Sequence, residues 1–235
     1  MTPSTLLESW QHRCWHDSSS VVVPDGCRDL IALERAGQAT RWFVSPLADT
    51  SYRVESPAGT RFTGYRLRPG AQLDEGALLN QLCAVEPADV PGTLTLIDSF
   101  TRLDRDTEDA LLALAWGSSV AGAARSLGVG ERHLERLLQR RTGRTPVFWR
   151  QLARIRRAAL ALGTGGRRDA LAELAVDQGF SDQAHMTREF QRWLGVTPAL
   201  MQAQTTWCQL MAQSGYGVPV TGVQSSTRNP SRSAT

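Results

Sequence analysis

Lysine is absent from this sequence, and all 26 basic residues are arginine. A complete replacement of this kind is typical of GC-rich coding, so it says little about function. Cysteine is also scarce, because Cys14, Cys27, Cys83 and Cys208 are far apart and form no C-x-x-C pair. This spacing predicts no disulfide framework and favours a reducing, cytoplasmic compartment.

Long apolar runs are missing as well. None approaches the roughly 20 residues that a membrane-spanning helix needs. The N-terminal segment lacks a basic stretch followed by an apolar core, so we expect no secretory signal peptide. The sequence therefore predicts a cytoplasmic protein with no membrane partner.

Catalytic motifs are likewise missing from the N-terminal half. It has no Ser/His/Asp arrangement, no P-loop and no paired carboxylate motif. We therefore expect a protein that is not an enzyme and that uses no cofactor.

Charge is divided unevenly along the chain, although the net charge is only +3. Residues 1–112 hold 10 Arg against 16 Asp and Glu, whereas residues 113–235 hold 16 Arg against 7. Arginine forms paired hydrogen bonds with phosphate groups and with guanine. The asymmetry predicts that only the C-terminal half contacts a polyanion such as double-stranded DNA.

Short apolar segments separated by turn residues dominate the chain as far as about Arg68. Val21–Leu33 holds two such segments around Pro24-Asp25-Gly26, which is a turn signature. Further strand candidates are Thr40–Val44, Ser51–Val54 and Arg61–Leu67. This spacing predicts a small sheet or an open barrel.

Helical periodicity begins near Leu73–Leu82. We expect Val90-Pro91-Gly92 to break the chain and Leu94–Leu103 to be a short helix or a loop. Thr107–Trp116 is predicted to be a helix capped by Asp106 or Thr107. The segment Trp116-Gly117-Ser118-Ser119 favours a domain boundary, with Ser118 or Ser119 as the N-cap of the next helix.

Two helix pairs with tight turns follow, Val120–Leu138 and Ala170–Phe190. Each has a small-residue first helix, a Gly at the turn, and a second helix with an apolar inner face and an Arg-bearing outer face. This is a helix-turn-helix pattern that occurs twice. We call the second helix of each pair its reading helix.

A longer helix joins the two pairs. It is predicted to begin near Pro146, to end near Leu162, and to be stopped by Gly163, Gly165 and Gly166. Its length of about 25 Å suits a spacer between modules that read successive major grooves, whose centres lie about 34 Å apart. Candidate phosphate contacts on or near this linker are Arg144, Arg150, Arg154, Arg156 and Arg157. An exposed basic face without such contacts is an equally simple reading of them.

The first reading helix is predicted over residues 131–141. Leu134, Leu137 and Leu138 share its inner face, and Arg132, Glu135, Arg136 and Gln139 share its outer face. Arginine can bond guanine O6 and N7 together, and glutamate can accept from cytosine N4. A solvated helix face would show the same pattern, but the preceding small-residue helix and the Leu127-Gly128-Val129 turn favour DNA reading.

The second reading helix is predicted over residues 182–193, with Ser181 as its N-cap. Its inner face carries Met186, Phe190 and Trp193, and its outer face carries Gln183, Ala184, Thr187, Arg188 and Gln191. Glutamine can read adenine, arginine can read guanine, and the methyl groups of Thr or Ala can contact thymine.

These motifs resemble the DNA-binding domain of AraC/XylS-family transcriptional regulators over about 80 residues. The resemblance is carried by Gly179-Phe180-Ser181-Asp182-Gln183, Phe190–Pro198, Leu134–Leu138 and Thr142–Pro146. It implies base contacts near Arg132, Glu135 and Arg136, and near Gln183, Ala184, Thr187 and Arg188. It departs from the family pattern at Gly130, where Ser is usual as an N-cap, and at Leu138 and Met186, where Phe is frequent. Ala184 cannot donate a hydrogen bond, so the second module would read by apolar contact there.

The N-terminal half resembles, more weakly, the sensor domains of some AraC-type regulators. The similarity is carried by the element Val23-Pro24-Asp25-Gly26-Cys27-Arg28-Asp29-Leu30. It implies a domain that binds a small-molecule effector, mediates homodimerisation, or does both, in a regulator that also meets RNA polymerase.

The expected fold is therefore α+β. A small β-rich sensor or dimerisation domain with a helical end, residues 1–112, is followed by an all-α domain, residues 113–205. The all-α domain holds two helix-turn-helix modules joined by the linker helix, and residues 212–235 are expected to form a disordered tail.

Two other readings of the N-terminal half stay open. His12, Cys14 and His16 alternate and would share one strand face, so with Cys27 they could ligate zinc or copper, although the spacing is tight for one ion. Coincidence on an edge strand carrying Trp10 and Trp15 is the simpler explanation of the pattern. Cys27 could also be a thiol sensor or the acceptor of a DNA-repair methyltransferase.

Overall fold

The computed structural model describes residues 2–163 and 171–217, and it has the expected α+β fold, with most of the strands in the N-terminal part and a helical C-terminal part. The strands are β1 (Leu6–Arg13), β2 (Ser18–Val22), β3 (Arg28–Glu34), β4 (Arg41–Val44), β5 (Tyr52–Ser56), β6 (Arg61–Leu67), β7 (Gln72–Leu73) and β8 (Thr101–Arg102). The helices are α1 (Glu75–Leu82), α2 (Val90–Phe100), α3 (Arg105–Trp116), α4 (Val120–Ser126), α5 (Glu131–Thr142), α6 (Pro146–Gly163), α7 (Leu171–Asp177), α8 (Gln183–Leu194), α9 (Pro198–Ala203) and α10 (Thr205–Met211).

The strands form one antiparallel sheet and two separate ribbons. The sheet has the order β1-β6-β3-β4, while β2 pairs with β5 and β7 pairs with β8. In the sheet, Leu30 lies opposite Tyr65, and both side chains are buried. Of the two predicted architectures, the small sheet is the one observed.

Gly64 on β6 makes room for the indole of Trp10 on β1. The two residues are register partners, and a Cβ at position 64 would clash with the Trp10 ring. The indole Nε1 donates a hydrogen bond of 3.0 Å to Asp29 Oδ1. Because only glycine leaves this space, Trp10 can lie across the strand and hold a carboxylate of β3.

Helices α1 and α2 cover the sheet. Leu78, Leu82 and Ile97 are fully buried, in one cluster with Leu30 and Leu67. The predicted chain break at Val90-Pro91-Gly92 is wrong, since these residues form the first turn of α2. Proline is tolerated in a first turn because its missing N–H would have no helical partner there.

Helix α3 packs with the later helices. Its Ala110, Leu111 and Leu114 belong to the helical core, so that core begins before the boundary drawn at residue 112. The predicted cap at Asp106 or Thr107 is also wrong, because the N-cap residue is Asp104, which makes no side-chain cap bond. Its carboxylate instead accepts from Gln72 Nε2 at 2.9 Å and lies 3.2 Å from Arg141 Nε.

The two helix pairs and the linker helix are present as predicted. Helices α4 and α5 form the first pair, α7 and α8 form the second, and α6 lies between them. Trp149 on α6 and Trp193 on α8 are almost completely buried in the shared core. The predicted stop at Gly165 and Gly166 falls outside the described residues, and α6 itself ends at Gly163.

The C-terminal segment differs from its prediction. Residues 198–211 form two helices, α9 and α10, which are separated at Gln204 because its backbone angles are extended. Residues 213–217, expected to be disordered, pack against the rest of the chain. Tyr216 is 5% exposed, its N–H donates to Asp25 O at 2.8 Å, and its hydroxyl donates to Leu111 O at 2.8 Å. Residues 218–235 of the predicted tail lie outside the described part.

Within the part of the chain that the structure describes, no helix is both long enough and apolar enough to cross a bilayer.

Replacing Tyr216 should measure how strongly the C-terminal segment is bound. We expect Tyr216→Ala to lower the free energy of unfolding by about 3–5 kcal/mol, since a buried aromatic side chain is lost. Tyr216→Phe keeps the ring and should cost about 1 kcal/mol through the lost hydrogen bond. Urea denaturation followed by circular dichroism measures both. If Tyr216→Ala unfolds at the wild-type urea concentration, the segment is not part of the folded unit.

Candidate nucleic-acid interface

The first helix-turn-helix module is built from α4, the 127–130 turn and α5. Ser119 caps α4 by accepting from Gly122 N at 2.9 Å, as predicted for this position. The turn is closed by a bond of 3.0 Å from Val129 N to Ala124 O. Leu134 and Leu138 are completely buried beneath α5, so the opposite face of the helix points away from the core.

The outer face of α5 is exposed and available. Arg132, Glu135 and Arg136 are exposed, together with Gln139 and Arg140. Among residues 2–163 and 171–217, no hydrogen bond or ion pair engages the side chains of Arg132, Glu135 or Arg136. Their hydrogen-bonding capacity is therefore free for a partner molecule.

The second module is built from α7, the turn after it and α8. The turn is closed by a bond of 2.8 Å from Phe180 N to Ala175 O. Met186 and Phe190 are fully buried on the inner face of α8. On its outer face, Gln183, Ala184 and Arg188 are exposed.

Thr187 lies at the edge of this outer face and is half-buried. Its hydroxyl donates to Gln183 O at 2.9 Å, one helical turn earlier. The hydroxyl is thus used inside the helix, which leaves the methyl group as the part of Thr187 suited to an outside contact.

The N-cap of α8 is Asp182, and the prediction of Ser181 is wrong. Asp182 Oδ1 accepts from His185 N at 2.6 Å, which satisfies a backbone donor of the first turn. Ser181 instead makes a side-chain hydrogen bond of 2.7 Å with His185 Nδ1. The short carboxylate, one residue closer to the helix, reaches the N–H group that a cap must bind.

The arginines of α6 do not form the exposed basic face that the sequence suggested. Arg154 is 7% exposed, and its Nη1 donates to Gly179 O at 3.0 Å. Its guanidinium lies 4.4 Å from the Phe180 ring and 4.0 Å from a Glu189 oxygen. Burial lowers the pKa of Arg154, which indicates an interior position. Arg154 therefore fastens the turn of the second module to the linker helix.

Arg150 and Arg157 are half-buried and fasten α6 to the end of α3. Arg150 Nη1 donates to Ser118 O at 3.1 Å. Arg157 Nη1 donates to Ala115 O, and its guanidinium lies 5.6 Å from the Trp116 ring. Both residues keep part of their surface exposed to solvent.

Arg144, at the start of α6, bridges the two domains. Its Nη2 donates to Leu47 O at 3.0 Å and lies 3.6 Å from Asp49 Oδ2. The guanidinium also lies 5.0 Å from the Phe148 ring. A second bridge near the reading surface is the bond of 2.9 Å from Ser51 N to Trp193 O, at the end of α8.

Arg156 is completely buried, so its predicted phosphate contact is not possible in this structure. Its guanidinium donates to Pro24 O at 3.3 Å, to Gln213 O at 2.8 Å and to Met211 O at 3.4 Å. The Pro24-Asp25-Gly26 turn of the N-terminal domain is thereby held against α6. Gly26 has a φ of +76°, and a Cβ there would lie 2.6 Å from Tyr216 Cβ. The backbone conformation and the close contact therefore each favour glycine at this position.

Arg66 is the second buried arginine of the domain interface, and the sequence did not reveal its role. Three carboxylates surround it at 3.1 Å, from Glu8, Asp25 and Asp29, and its Nη1 also donates to Ser214 O at 3.1 Å. Burial opposes its charge, but Asp25 and Asp29 outweigh burial and raise the pKa of the guanidinium. The sequence feature that could have indicated this buried role is the position of the arginine between Tyr65 and Leu67 in an apolar strand.

The proposed metal ligands are not brought together. In the described ranges, no group of three or more His, Cys, Asp or Glu side chains is placed to hold a metal ion. Strand β1 ends at Arg13, before Cys14 and His16, and the His12 ring stacks on Phe62 at 6.3 Å. The alternation of 12, 14 and 16 therefore does not continue along one strand face.

Cys27 has the environment of a structural thiol. It is 4% exposed, and burial, reinforced by the charge of Asp25, raises its pKa well above the ordinary value. A thiolate nucleophile needs the opposite shift. This geometry gives no support to a thiol sensor or to a methyltransferase at this residue.

Comparison with known proteins identifies the helical part. Residues 123–204 match the family model described as a helix-turn-helix domain. No curated protein sequence matches the chain.

The chain is also similar to solved structures. The C-terminal domain of the response regulator AraT from Geobacillus stearothermophilus is 20% identical, with a TM-score of 0.39, covering 43% of this chain and 87% of that one. An AraC-type transcriptional regulator from Chromobacterium violaceum is 23% identical, with a TM-score of 0.38, covering 43% and 96%. ToxT from Vibrio cholerae O395 is 10% identical, with a TM-score of 0.42, covering 88% and 98%.

The family match and the two modules define a DNA-binding protein of the helix-turn-helix class. More narrowly, the family match spans residues 123–204, which include both reading helices and the linker helix between them. The match supports the helix-turn-helix part of the resemblance drawn from the sequence motifs.

The cap of α8 can be tested with two neighbouring variants. We expect Asp182→Ala to lower the free energy of unfolding by about 1 kcal/mol because a first-turn N–H loses its acceptor. Ser181→Ala removes only an exposed side-chain bond and should cost less. Thermal unfolding of both variants makes the comparison, and a larger loss in Ser181→Ala would restore Ser181 as the cap.

The environment of Cys27 predicts its reactivity. In the native protein at pH 8, we expect iodoacetamide to modify the exposed Cys83 while Cys27 stays unmodified, because its raised pKa keeps it as a buried thiol. Peptide mass spectrometry of a time course distinguishes the two residues, and urea-unfolded protein is the control in which both react. Modification of native Cys27 as fast as Cys83 would contradict the assignment.

Proposed function

We propose that the chain is a transcriptional regulator of the AraC type and that it reads a specific DNA sequence by placing α5 and α8 in two successive major grooves. The observation that carries the proposal is the pair of exposed outer faces, each on the second helix of its module. The 18 residues of α6 make a spacer of about 27 Å, close to the separation of about 34 Å between neighbouring major grooves on one side of the duplex.

In the first module, Arg132 and Arg136 are the guanine readers of this proposal. Each has a free guanidinium that can donate to O6 and N7 of one base. Glu135 lies between them and can accept from cytosine N4. The three side chains together offer both donors and acceptors, which purely electrostatic DNA binding does not need.

In the second module, Gln183 and Arg188 supply the hydrogen bonds of this proposal. Gln183 suits adenine and Arg188 suits guanine. Ala184 and the methyl group of Thr187 suit the thymine methyl group, because the Thr187 hydroxyl is already bonded to the helix backbone. The second module thus reads more by shape and apolar contact than the first.

Phosphate contacts are assigned to the partly exposed arginines near α6. Arg150 and Arg157 keep accessible surface beside their structural bonds, and Arg144 does so at the helix start. Arg154 is not one of the proposed phosphate contacts, because its guanidinium is buried against Phe180 and Gly179. These contacts would position the protein on the duplex without reading sequence.

We further propose that the N-terminal domain controls DNA binding, and the way it is docked supports this. The turn at Pro24 is bonded to Arg156 of the linker helix, so any change in that turn acts on the element between the two modules. An effector bound to the N-terminal domain, or a homodimer formed through it, would act along this route. A regulator of this kind acts in the cytoplasm beside DNA and RNA polymerase.

The reading faces can be tested on a DNA duplex selected from a random pool by the wild-type chain. We expect Arg136→Ala and Arg188→Ala each to weaken binding to the selected site by about 1–3 kcal/mol. Arg136→Lys keeps the charge but loses the planar fork, so it should also weaken specific binding while non-specific binding at equal salt is retained.

The matched control is Arg61→Ala, since Arg61 is exposed on β6 in the N-terminal domain, on the other side of the domain interface from α5 and α8. Fluorescence anisotropy at one fixed ionic strength gives all affinities. Wild-type affinity in both Arg136→Ala and Arg188→Ala would reject these reading faces. Selection of no preferred sequence by the wild type would reject sequence-specific reading itself.

A further inference from the structure

A cavity of about 540 Å³ lies between the two domains. One wall comes from the N-terminal domain, around Gly26, Leu47 and residues 67–73. The other wall is the end of reading helix α5 and the turn into α6, residues 140–144, with Trp149 behind them. The volume falls within the range of small-molecule sites, which is about 300–1,000 Å³.

In the described part of the chain, every charged residue that lines this cavity is an arginine. Arg28 and Arg68 lie on the N-terminal wall, and Arg140, Arg141 and Arg144 lie on the opposite wall. Among the residues that the structure describes, no aspartate or glutamate lines the space. Two sets of like charges therefore face each other across a gap between domains, and an anion between them would relieve their repulsion.

The carboxylates that pair with these arginines lie outside the lining. The pairs are Arg28–Glu75 at 2.6 Å, Arg68–Glu108 at 2.9 Å, Arg141–Asp104 at 3.2 Å and Arg144–Asp49 at 3.6 Å. All four pairs keep about a third or more of their side-chain surface in solvent, so each is weak and exchangeable. For Arg140, no partner occurs among residues 2–163 and 171–217.

The arginines also keep unused donors. A guanidinium carries five N–H groups, whereas Arg68 uses one of its nitrogens for a described contact and Arg141 uses two. The cavity is thus lined by arginines, most of which are held in position by carboxylates outside the lining. Their unused N–H groups can still donate hydrogen bonds to a molecule in the cavity. Planar donors of this kind match phosphate and carboxylate oxygens in pairs.

We propose that this cavity is a binding site for a small multivalent anion carrying phosphate or carboxylate groups. Bound there, the anion contacts Arg28 and Arg68 on one wall and Arg140, Arg141 and Arg144 on the other, and it holds the two domains together. Because Arg140 and Arg141 form the last turn of α5, the anion also fixes the end of a reading helix. The consequence for DNA binding rests on the function proposed above, whereas the site itself does not.

The probes are inorganic pyrophosphate and citrate, one for each kind of anionic group. Calorimetric titration and thermal unfolding are measured on the full chain, with sodium chloride added to equal ionic strength as the reference. We expect at least one probe to bind at a single site and, at about ten times its Kd, to raise Tm by about 3 °C. Pyrophosphate alone or citrate alone would assign the chemistry. No binding by either probe would overturn the proposal.

The location is tested with Arg28→Gln and Arg68→Gln, both on the N-terminal wall, and with Arg61→Gln as a matched control outside the cavity. We expect each wall variant to weaken the probe about tenfold or more, since a charge-assisted pair is lost, while the control binds like the wild type. Circular dichroism and Tm without anion confirm that the variants are folded. Equal binding by wild type and both wall variants would place the anion elsewhere and overturn the proposal.

The same variants separate the cavity from the DNA-binding surface. Without anion, Arg28→Gln and Arg68→Gln should bind the selected duplex as the wild type does. A tenfold loss of DNA affinity in them would make the cavity part of a phosphate-contact surface and overturn the small-anion site. A chain that binds pyrophosphate but selects no DNA would overturn the proposed function and leave this site standing, and the reverse result would do the opposite.

Discussion

The buried guanidinium of Arg156 is the interaction on which the arrangement of the whole chain depends. It sits on the linker helix between the two helix-turn-helix modules and donates to carbonyls of Pro24, Met211 and Gln213. Burial lowers the pKa of Arg156, so the surroundings resist its charge and the carbonyl acceptors must compensate. Separation of the N-terminal domain from α6 would remove one acceptor at once and would loosen the C-terminal segment that supplies the other two. Burial of a charged guanidinium costs free energy unless its hydrogen-bond acceptors are in place. The N-terminal domain, α6 and the C-terminal segment therefore stabilise one another's positions.

Arg66, on the N-terminal side of the interface, is likewise a buried arginine that is held by groups from several segments. Three carboxylates and Ser214 O hold it, and Asp25 belongs to the same turn that Arg156 binds. Tyr216 closes the arrangement, because its ring meets Trp149 at 4.9 Å while its backbone N–H reaches Asp25 O at 2.8 Å. The sheet, the linker helix and the C-terminal segment therefore meet at one cluster of buried polar groups, and the aromatic ring of Tyr216 packs beside it. Arg154, on the same helix, also donates to Gly179 O, so α6 connects this cluster with the turn of the second module.

The reading helices were predictable because their order is local. A 3.6-residue repeat separates Leu134 and Leu138 from the exposed Arg132 and Arg136, and the same rule separates Phe190 from Arg188. The arginines of α6 could not be assigned in this way. Periodicity shows that Arg154 and Arg156 share a helix with apolar residues, but it does not show which carbonyls approach them from distant segments. The contacts that bury them come from positions 24, 179, 211 and 213.

The sequence by itself determined the two helix-turn-helix modules, the linker helix and the strand-rich N-terminal half, because apolar repeats and turn glycines act over a few residues. Only the tertiary structure decided which arginines are exposed to solvent and which are buried, where the core of the helical part begins, and that Tyr216 belongs to the folded unit. It alone also created the arginine-lined cavity, since Arg28 and Arg144 lie 116 positions apart in the sequence and meet only when the domains dock. Residues so far apart in the sequence come close only in the folded chain, and no local sequence pattern predicts which of them will meet.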